Sequence, residues 1–179
     1  MTSVVAPCLS ARFGHVQVQF YSLVTLDVLT KTSDAAALVI EDDTYHVLAA
    51  DPMFTEPREH PIRIHTAALD VQPSHQGAVY YRDGNPPSLC AVVHDLSCEP
   101  TTAAGYVEKA WTTIFSECGR RGLRSLVGPL LGTQHGILPP AKALRALECA
   151  GNRAPKEQVL YLWVLPHSLS LLESFEEPT

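Results

Sequence analysis

Residues 122–146, GLRSLVGPLLGTQHGILPPAKALRA, are the most informative stretch of the sequence because they combine a strand, a glycine-bounded loop and a helix in one short span. The apolar run 123–131 predicts the strand, and a helix is predicted to begin near Pro140. Gly132 and Gly136 permit positive φ and close approach to the backbone, and the dipole of the following helix favours negative charge. The loop therefore has two interpretations: it offers backbone N–H groups to a phosphate, or it is a tight connection with no ligand.

The composition predicts one compact domain. The chain has 179 residues, of which 46% are hydrophobic and 18% are charged. Its formal charge of −6 gives no electrostatic reason to expect nucleic acid, since such affinity needs clustered Lys and Arg. The short basic cluster of Arg120, Arg121 and Arg124 is interpreted as the solvated end of a helix.

The N-terminal sequence and the cysteines favour a cytoplasmic protein. No apolar run approaches the about 20 residues that a membrane-spanning helix needs. Residues 1–14 lack a basic segment before their apolar residues, so they are interpreted as an N-terminal extension of the domain at 1–179 rather than a secretory signal. The cysteines are odd in number and lack close pairs, which is typical of reduced thiols: Cys8, Cys90, Cys98, Cys118 and Cys149.

Hydrophobic periodicity predicts alternating strands and helices. Strands are expected at 16–24, 35–40, 76–81, 89–94, 123–131 and 158–165, and helices at 103–118, 140–150 and 168–176. Gly119 is the predicted stop of the first helix. Segment 45–50 either extends a strand or begins a helix, 51–61 is a proline-rich loop, and 62–69 is a strand or a short helix. The order from residue 89 onward predicts an α/β fold with right-handed crossovers and a sheet covered by helices.

Two polar groups could carry chemistry but have simpler explanations. Glu41, Asp42 and Asp43 would bind a cation or form an acid/base pair, yet no matching ligand set is visible, so a solvated loop is expected. Cys90, His94 and Cys98 have a four-residue spacing that would gather zinc ligands on a helix. Because LCAVVH at 89–94 is β-prone, that face would not form, and no metal site is predicted.

The segment 89–146 resembles the C-terminal half of a macro domain, whose corresponding strand and loop are commonly written SIAFPALGTGxxGxP. The matching residues, in order, are Ser125, Pro129, Gly132, Thr133, Gly136 and Pro139, and Gln134 stands where the second family glycine often lies. The resemblance implies a three-layer α/β/α fold with a mixed, largely parallel sheet. It also implies that this loop wraps the diphosphate of ADP-ribose.

The N-terminal half resembles the family more loosely. Asp27 lies in a segment similar to the family's GDIT, whose aspartate recognises adenine. The two family asparagines would fall near Ile40 and Asp43, and no run of three glycines follows. These departures imply little or no hydrolysis. The resemblance thus implies a ligand-binding set of Asp27, Pro129, Gly132, Thr133, Gln134, His135, Gly136 and Ile137, although His135 is also interpreted as an exposed loop histidine and Asp27 as a cap or turn residue.

Three functional hypotheses follow, and the sequence leaves enzymatic activity open. The first is a non-catalytic or weakly catalytic binding module for ADP-ribose or a related phosphate-bearing nucleotide, with no cofactor. The second is a degenerate macro-like scaffold for self-assembly or a protein partner, with apolar segments such as 160–163 at an interface. The third and least favoured is an ADP-ribosyl hydrolase. Trp111, Phe115 and Trp163 are expected in the core or at a subunit contact.

Overall fold

The computed structural model describes residues 6–49, 72–135 and 138–168. Their strands are β1 (Leu9–Phe13), β2 (Val16–Tyr21), β3 (Ala37–Asp43), β4 (Val79–Arg82), β5 (Ser88–His94), β6 (Ser125–Pro129) and β7 (Gln158–Trp163). Their helices are α1 (Leu26–Thr32), α2 (Ala104–Arg121) and α3 (Pro140–Gly151), and a 3₁₀ turn covers Pro166–Ser168. No helix in these ranges is long and apolar enough to cross a membrane.

The strands form one mixed, largely parallel sheet of order β1-β2-β7-β6-β3-β5-β4. Its inner pairs are parallel, and only the outer pairs, β1 with β2 and β4 with β5, are antiparallel. Parallel strands need crossover connections, which α2 and α3 supply between β5, β6 and β7. The predicted α/β class and sheet type are confirmed.

Alternating strand side chains divide the core into two layers. On one face lies the main core, in which buried Trp111 and Phe115 of α2 stack with ring centroids 5.6 Å apart. On the other face, Leu29 of α1 packs against Tyr21 and Val127. The three-layer α/β/α arrangement follows, with α2 and α3 packed against each other.

Several predicted boundaries are wrong for local reasons. Gly119 lies inside α2 and is buried, whereas Gly122 ends the helix with φ of 73°, a left-handed conformation that glycine adopts without steric cost. β3 continues beyond residue 40 to Asp43 because its carboxylates find internal partners. Residues 44–49 are turn and irregular structure, neither strand nor helix.

Other predictions fall at the edges of the described ranges. Part of the N-terminal extension, Leu9–Phe13, forms an edge strand of the sheet. The predicted loop at 51–61 and segment at 62–69 lie outside the described residues, as does the helix predicted at 168–176 apart from Ser168.

Candidate functional site

The sheet reverses its winding direction between β3 and β6. From β3 the chain proceeds to β5 on one side, and from β6 it crosses through α3 to β7 on the other. In open α/β sheets the crevice outside the carboxyl ends of two such strands is where ligands bind. The candidate site therefore lies beyond Asp43 of β3 and Pro129 of β6.

The loop after β6 is a tight turn. The N–H and the hydroxyl of Thr133 both donate to the carbonyl of Leu130, at 3.2 and 2.6 Å. Gly132 has φ of 85°, and a Cβ there would lie 3.0 Å from side-chain atoms of Leu138 and Val107. Glycine at this position is therefore required by the turn and its packing, whether or not a ligand approaches.

Glu41 is the carboxylate beneath this loop. It is only 2% exposed, at the end of β3. Its Oε1 accepts a hydrogen bond from the N–H of Gly132 at 2.7 Å, and its Oε2 accepts a longer one from the N–H of His135 at 3.4 Å. Two of the loop's N–H groups therefore contact an internal anion.

His94, at the end of β5, is the side-chain partner of the Glu41 carboxylate. Its Nε2 lies 2.9 Å from Glu41 Oε2, and neither side chain is exposed. Because an ionised Glu41 can only accept, Nε2 carries the proton. The other ring nitrogen, Nδ1, is buried without a hydrogen-bond partner in the described part of the chain.

Asp43 fixes the turn that follows β3. Its Oδ1 accepts from the N–H of Tyr45, and its Oδ2 accepts from those of Val47 and Leu48, all at 2.8 Å.

The expectation that Glu41, Asp42 and Asp43 form a solvated loop is wrong, since all three are buried. Backbone N–H groups satisfy these carboxylates, which makes their burial tolerable.

Asp42 anchors a separate cluster on the β4 side of β3. Its Oδ2 lies 2.5 Å from Nδ1 of His46, whose Nε2 is 2.8 Å from the hydroxyl oxygen of Ser74. Tyr80 donates its hydroxyl to Ser74 at 3.0 Å. Neither this cluster nor the Glu41–His94 pair is predicted from the sequence. The only sequence signal was an apolar strand running into three acids, and nothing local linked those acids to residues 46, 74, 94 or 132.

The loop residues predicted to bind ligand lie close together because they are neighbours in the sequence. Pro129 and Gly132 are buried, Thr133 is half-buried, and Gln134 and His135 are exposed. Pro129, which has no N–H, falls past Leu38↔Val127, the last ladder pair between β3 and β6. Gly136 and Ile137 lie outside the described residues.

Asp27 lies at the same edge of the sheet as the loop but within another element. It occupies the first turn of α1, which follows β2, and β2 is parallel to β7. Its carboxylate is largely exposed and pairs with Lys31 Nζ at 2.7 Å. An aspartate in a helix's first turn is favoured by the dipole, which accounts for it without a ligand.

The four-residue spacing of Cys90, His94 and Cys98 does not bring these side chains together. Cys90 and His94 lie buried in β5, a strand as predicted, whereas Cys98 is exposed beyond it. Within the described ranges no three side chains of Cys, His, Asp or Glu are grouped to hold a metal ion. All five cysteines are free thiols, and burial raises the pKa of Cys118 to about 12.

Comparison with known proteins supports the fold. No family model and no curated protein matches the chain. Among solved structures, the macrodomain of Thermus aquaticus DarG matches with a TM-score of 0.55 and 19% identity, over 84% of this chain and 98% of that one. The Oceanobacillus iheyensis macrodomain with ADP matches with a TM-score of 0.64 and 11% identity, over 93% of both chains. A variant of that protein with ADPR has a TM-score of 0.63 and 11% identity, over 93% of this chain and 95% of that one. At these identities the likeness establishes the fold alone: the chain has a macrodomain-like fold.

Proposed function

We propose that this protein is a binding module for ADP-ribose or a related phosphate-bearing nucleotide, with little or no hydrolysis. The observation that carries the proposal is the reversal of winding between β3 and β6, with the turn at 132–135 at the carboxyl end of β6. The Oceanobacillus iheyensis macrodomain, which has the same fold, is solved with ADP and with ADPR. Fold and position together favour a nucleotide at this edge of the sheet.

The loop geometry predicts how a phosphate would be held. Glu41 accepts the N–H of Gly132, and that bond fixes the loop with Gln134 and His135 on its exposed side. A phosphate would therefore contact the Gln134 amide and the His135 ring, while Gly132 supports the turn. The N–H groups of an amide and of an imidazole ring can donate hydrogen bonds to phosphate oxygens.

The helix after the loop contributes charge rather than many donors. α3 begins at Pro140, preceded by Pro139, and neither proline has an N–H. Its dipole and exposed Lys142 still favour an anion. Because the internal carboxylate of Glu41 and the two prolines leave few backbone donors, we expect modest affinity.

Isothermal titration with ADP-ribose, ADP and AMP tests the proposal. We expect saturable heat with ADP-ribose or ADP below millimolar ligand, and no detectable turnover of ADP-ribosylated protein. The absence of heat up to millimolar ligand for all three compounds would remove nucleotide recognition.

The site is tested by adding negative charge to the exposed loop. His135→Glu should weaken phosphate binding by at least about tenfold, which corresponds to about 1.4 kcal/mol. Gln17→Glu is the matched control, because Gln17 is exposed at the start of β2, at the opposite edge of the sheet. A substitution at Gly132 would be a poor test, since any side chain there strains the turn.

A second candidate function is protein assembly without a nucleotide. It is favoured by the exposed apolar side chains Leu23, Val47 and Leu96, which follow β2, β3 and β5 and so lie at the same edge of the sheet as the loop. Light scattering on a sizing column would reveal self-association. A monomer that binds ADP-ribose would count against this alternative, and an oligomer that gives no heat would favour it.

A further inference from the structure

Asp42, His46, Ser74 and Tyr80 form one directional hydrogen-bond chain. An ionised Asp42 accepts from His46 Nδ1–H at 2.5 Å, which leaves Nε2 as an acceptor. Ser74 can then donate its hydroxyl to Nε2 at 2.8 Å, and Tyr80 donates to the Ser74 oxygen at 3.0 Å. A single proton assignment therefore satisfies every contact, and it places a base against the serine hydroxyl.

The carboxylate end of the chain is rigid. Asp42 has no exposed surface, and its Oδ1 accepts from the N–H groups of Asp43 and Ala49, each at 3.0 Å. The Arg82 guanidinium lies 3.9 Å from Oδ2. With Oδ1 held by the backbone, Oδ2 is aimed at the imidazole and fixes its orientation.

The histidine is held in an uncommon backbone conformation and remains accessible. His46 has φ of 60°, a region that few residues other than glycine adopt and that clusters at functional sites. Both ring nitrogens have partners, and the Tyr80 ring packs edge-on with centroids 5.0 Å apart. The His46 side chain is 30% exposed, so small molecules can reach the imidazole of this hydrogen-bond chain from solvent.

The serine is positioned by its backbone as well as by its side chain. The N–H of Ser74 donates to the carbonyl of Thr44 at 2.7 Å, which ties this residue to the turn after β3. Ser74 is only partly buried. Its hydroxyl is thus held at the base within a residue that keeps part of its surface in solvent, as suits the nucleophile of a serine–histidine–carboxylate arrangement.

We propose that Ser74 is a nucleophile, activated by His46 and oriented through Asp42, that hydrolyses carboxylic esters at a site distinct from the Glu41–His94 pair. Ser74 Oγ attacks the ester carbonyl and its proton passes to His46 Nε2. The C–O bond to the alcohol then breaks, and the alkoxide takes that proton and leaves. Water adds to the carbonyl carbon of the acyl-serine and gives a proton to Nε2. The bond between that carbon and Ser74 Oγ then breaks, the acid leaves, and Oγ takes the proton back from Nε2. The products are one acid and one alcohol, with no change of oxidation state.

Labelling the full chain with a fluorophosphonate probe tests this inference. We expect one adduct by intact mass, mapped to Ser74 by peptide sequencing, together with p-nitrophenol release from p-nitrophenyl acetate. Ser74→Ala should abolish both, and His46→Gln should slow labelling by about 100-fold, the typical contribution of a general base. Absence of an adduct on the wild-type protein, or equal labelling of Ser74→Ala, would overturn the proposal.

Ser97→Ala is the matched control, because Ser97 donates to the Asp95 carboxylate at 2.5 Å with no histidine between them. Its removal should leave labelling unchanged, and labelling spread equally over Ser97 and Ser74 would contradict the assignment. If Ser74→Ala fails to fold, Ser74→Cys keeps a nucleophile, and iodoacetamide should alkylate that thiol faster than Cys98; an equal or slower rate counts against activation.

For Asp42, a positioning residue, the downfield proton resonance of His46 Nδ1–H should disappear in Asp42→Asn, and its persistence would show that the carboxylate does not hold the ring.

Discussion

The carboxylate of Glu41 accepts a hydrogen bond from the backbone N–H of Gly132 at 2.7 Å, although the two residues are separated by 91 positions in sequence. This bond joins the end of β3 to the loop after β6. The protein's own anion thus occupies an N–H group of the kind that phosphate-binding loops offer to ligands. Removal of the Glu41 negative charge should therefore affect both the stability of the domain and its affinity for anions.

Glu41→Gln should lower the free energy of unfolding and strengthen phosphate binding. The glutamine oxygen can still accept from Gly132, but its NH₂ group cannot accept from His94 or from the His135 N–H. We expect a loss of about 1–3 kcal/mol from the unsatisfied donors, with tighter ADP-ribose binding because a buried negative charge is gone. Urea unfolding and calorimetry measure the two effects, and weaker nucleotide binding in a folded variant would contradict the second.

His94→Ala should destabilise the domain more than Glu41→Gln does. It leaves Glu41 as a buried carboxylate without its side-chain partner, which costs about 3–5 kcal/mol. The double variant should lose less than the sum of the two single variants, because the second substitution removes the charge that the first stranded. A double-mutant cycle by urea unfolding checks this, and strict additivity would show that the two side chains do not interact.

Gly132→Ala should cost about 1–3 kcal/mol, since it places a side chain at φ of 85°. Its Cβ would also meet Leu138 and Val107 at 3.0 Å. Gly105→Ala is the control: Gly105 lies in α2 with nothing within 4 Å of an added Cβ, so alanine should stabilise the helix by about 0.5–1 kcal/mol. Thermal or urea unfolding of both variants should give shifts of opposite sign.

Stability should fall at alkaline pH because of Cys118. Burial raises the pKa of this thiol from 9.0 to about 12, so the unfolded chain releases the proton at a lower pH than the folded one. Between these values the unfolded state binds fewer protons, and the free energy of unfolding falls with a slope of up to about 1.4 kcal/mol per pH unit. The contribution is fully present below pH 9.0 and is lost as the pH rises toward 12.

Comparing the free energy of unfolding of Cys118→Ala with that of the wild-type protein at pH 8, 9 and 10 isolates the slope due to Cys118, since the cavity cost of the substitution is the same at each pH. Cys149→Ala is the control, because Cys149 is an exposed thiol. An unchanged slope in Cys118→Ala would mean that this thiol does not contribute to the alkaline loss.

Much of the element order could be predicted from the sequence. The pattern of segment 89–146 predicts a strand, a helix, a strand and a loop, and β5, α2, β6 and the turn at Gly132 lie there. Periodicity of apolar residues is a local property, so it is readable without a structure. Helix ends were less readable: Gly119 and Gly122 look alike in sequence, and only the left-handed φ of Gly122 distinguishes the stop.

The buried acids show the limit of local reasoning. The sequence predicts Glu41, Asp42 and Asp43 in a solvated loop because it shows no matching ligand set, yet all three are buried. Their partners are Gly132, His46 and the turn at 45–48, together with His94, which lies 53 positions from Glu41. No local pattern announces such pairings.

The α/β class and the alternation of strands and helices are readable from the chain without a structure, because side-chain periodicity and glycine and proline chemistry act over a few residues. Which polar groups meet depends on the folded arrangement. It placed the end of β3 between the glycine loop and Ser74, turned Glu41 toward the first and Asp42 toward the second, and excluded water from both carboxylates. The physical reason is that a buried charge is stable only where folding brings donors to it from distant parts of the chain.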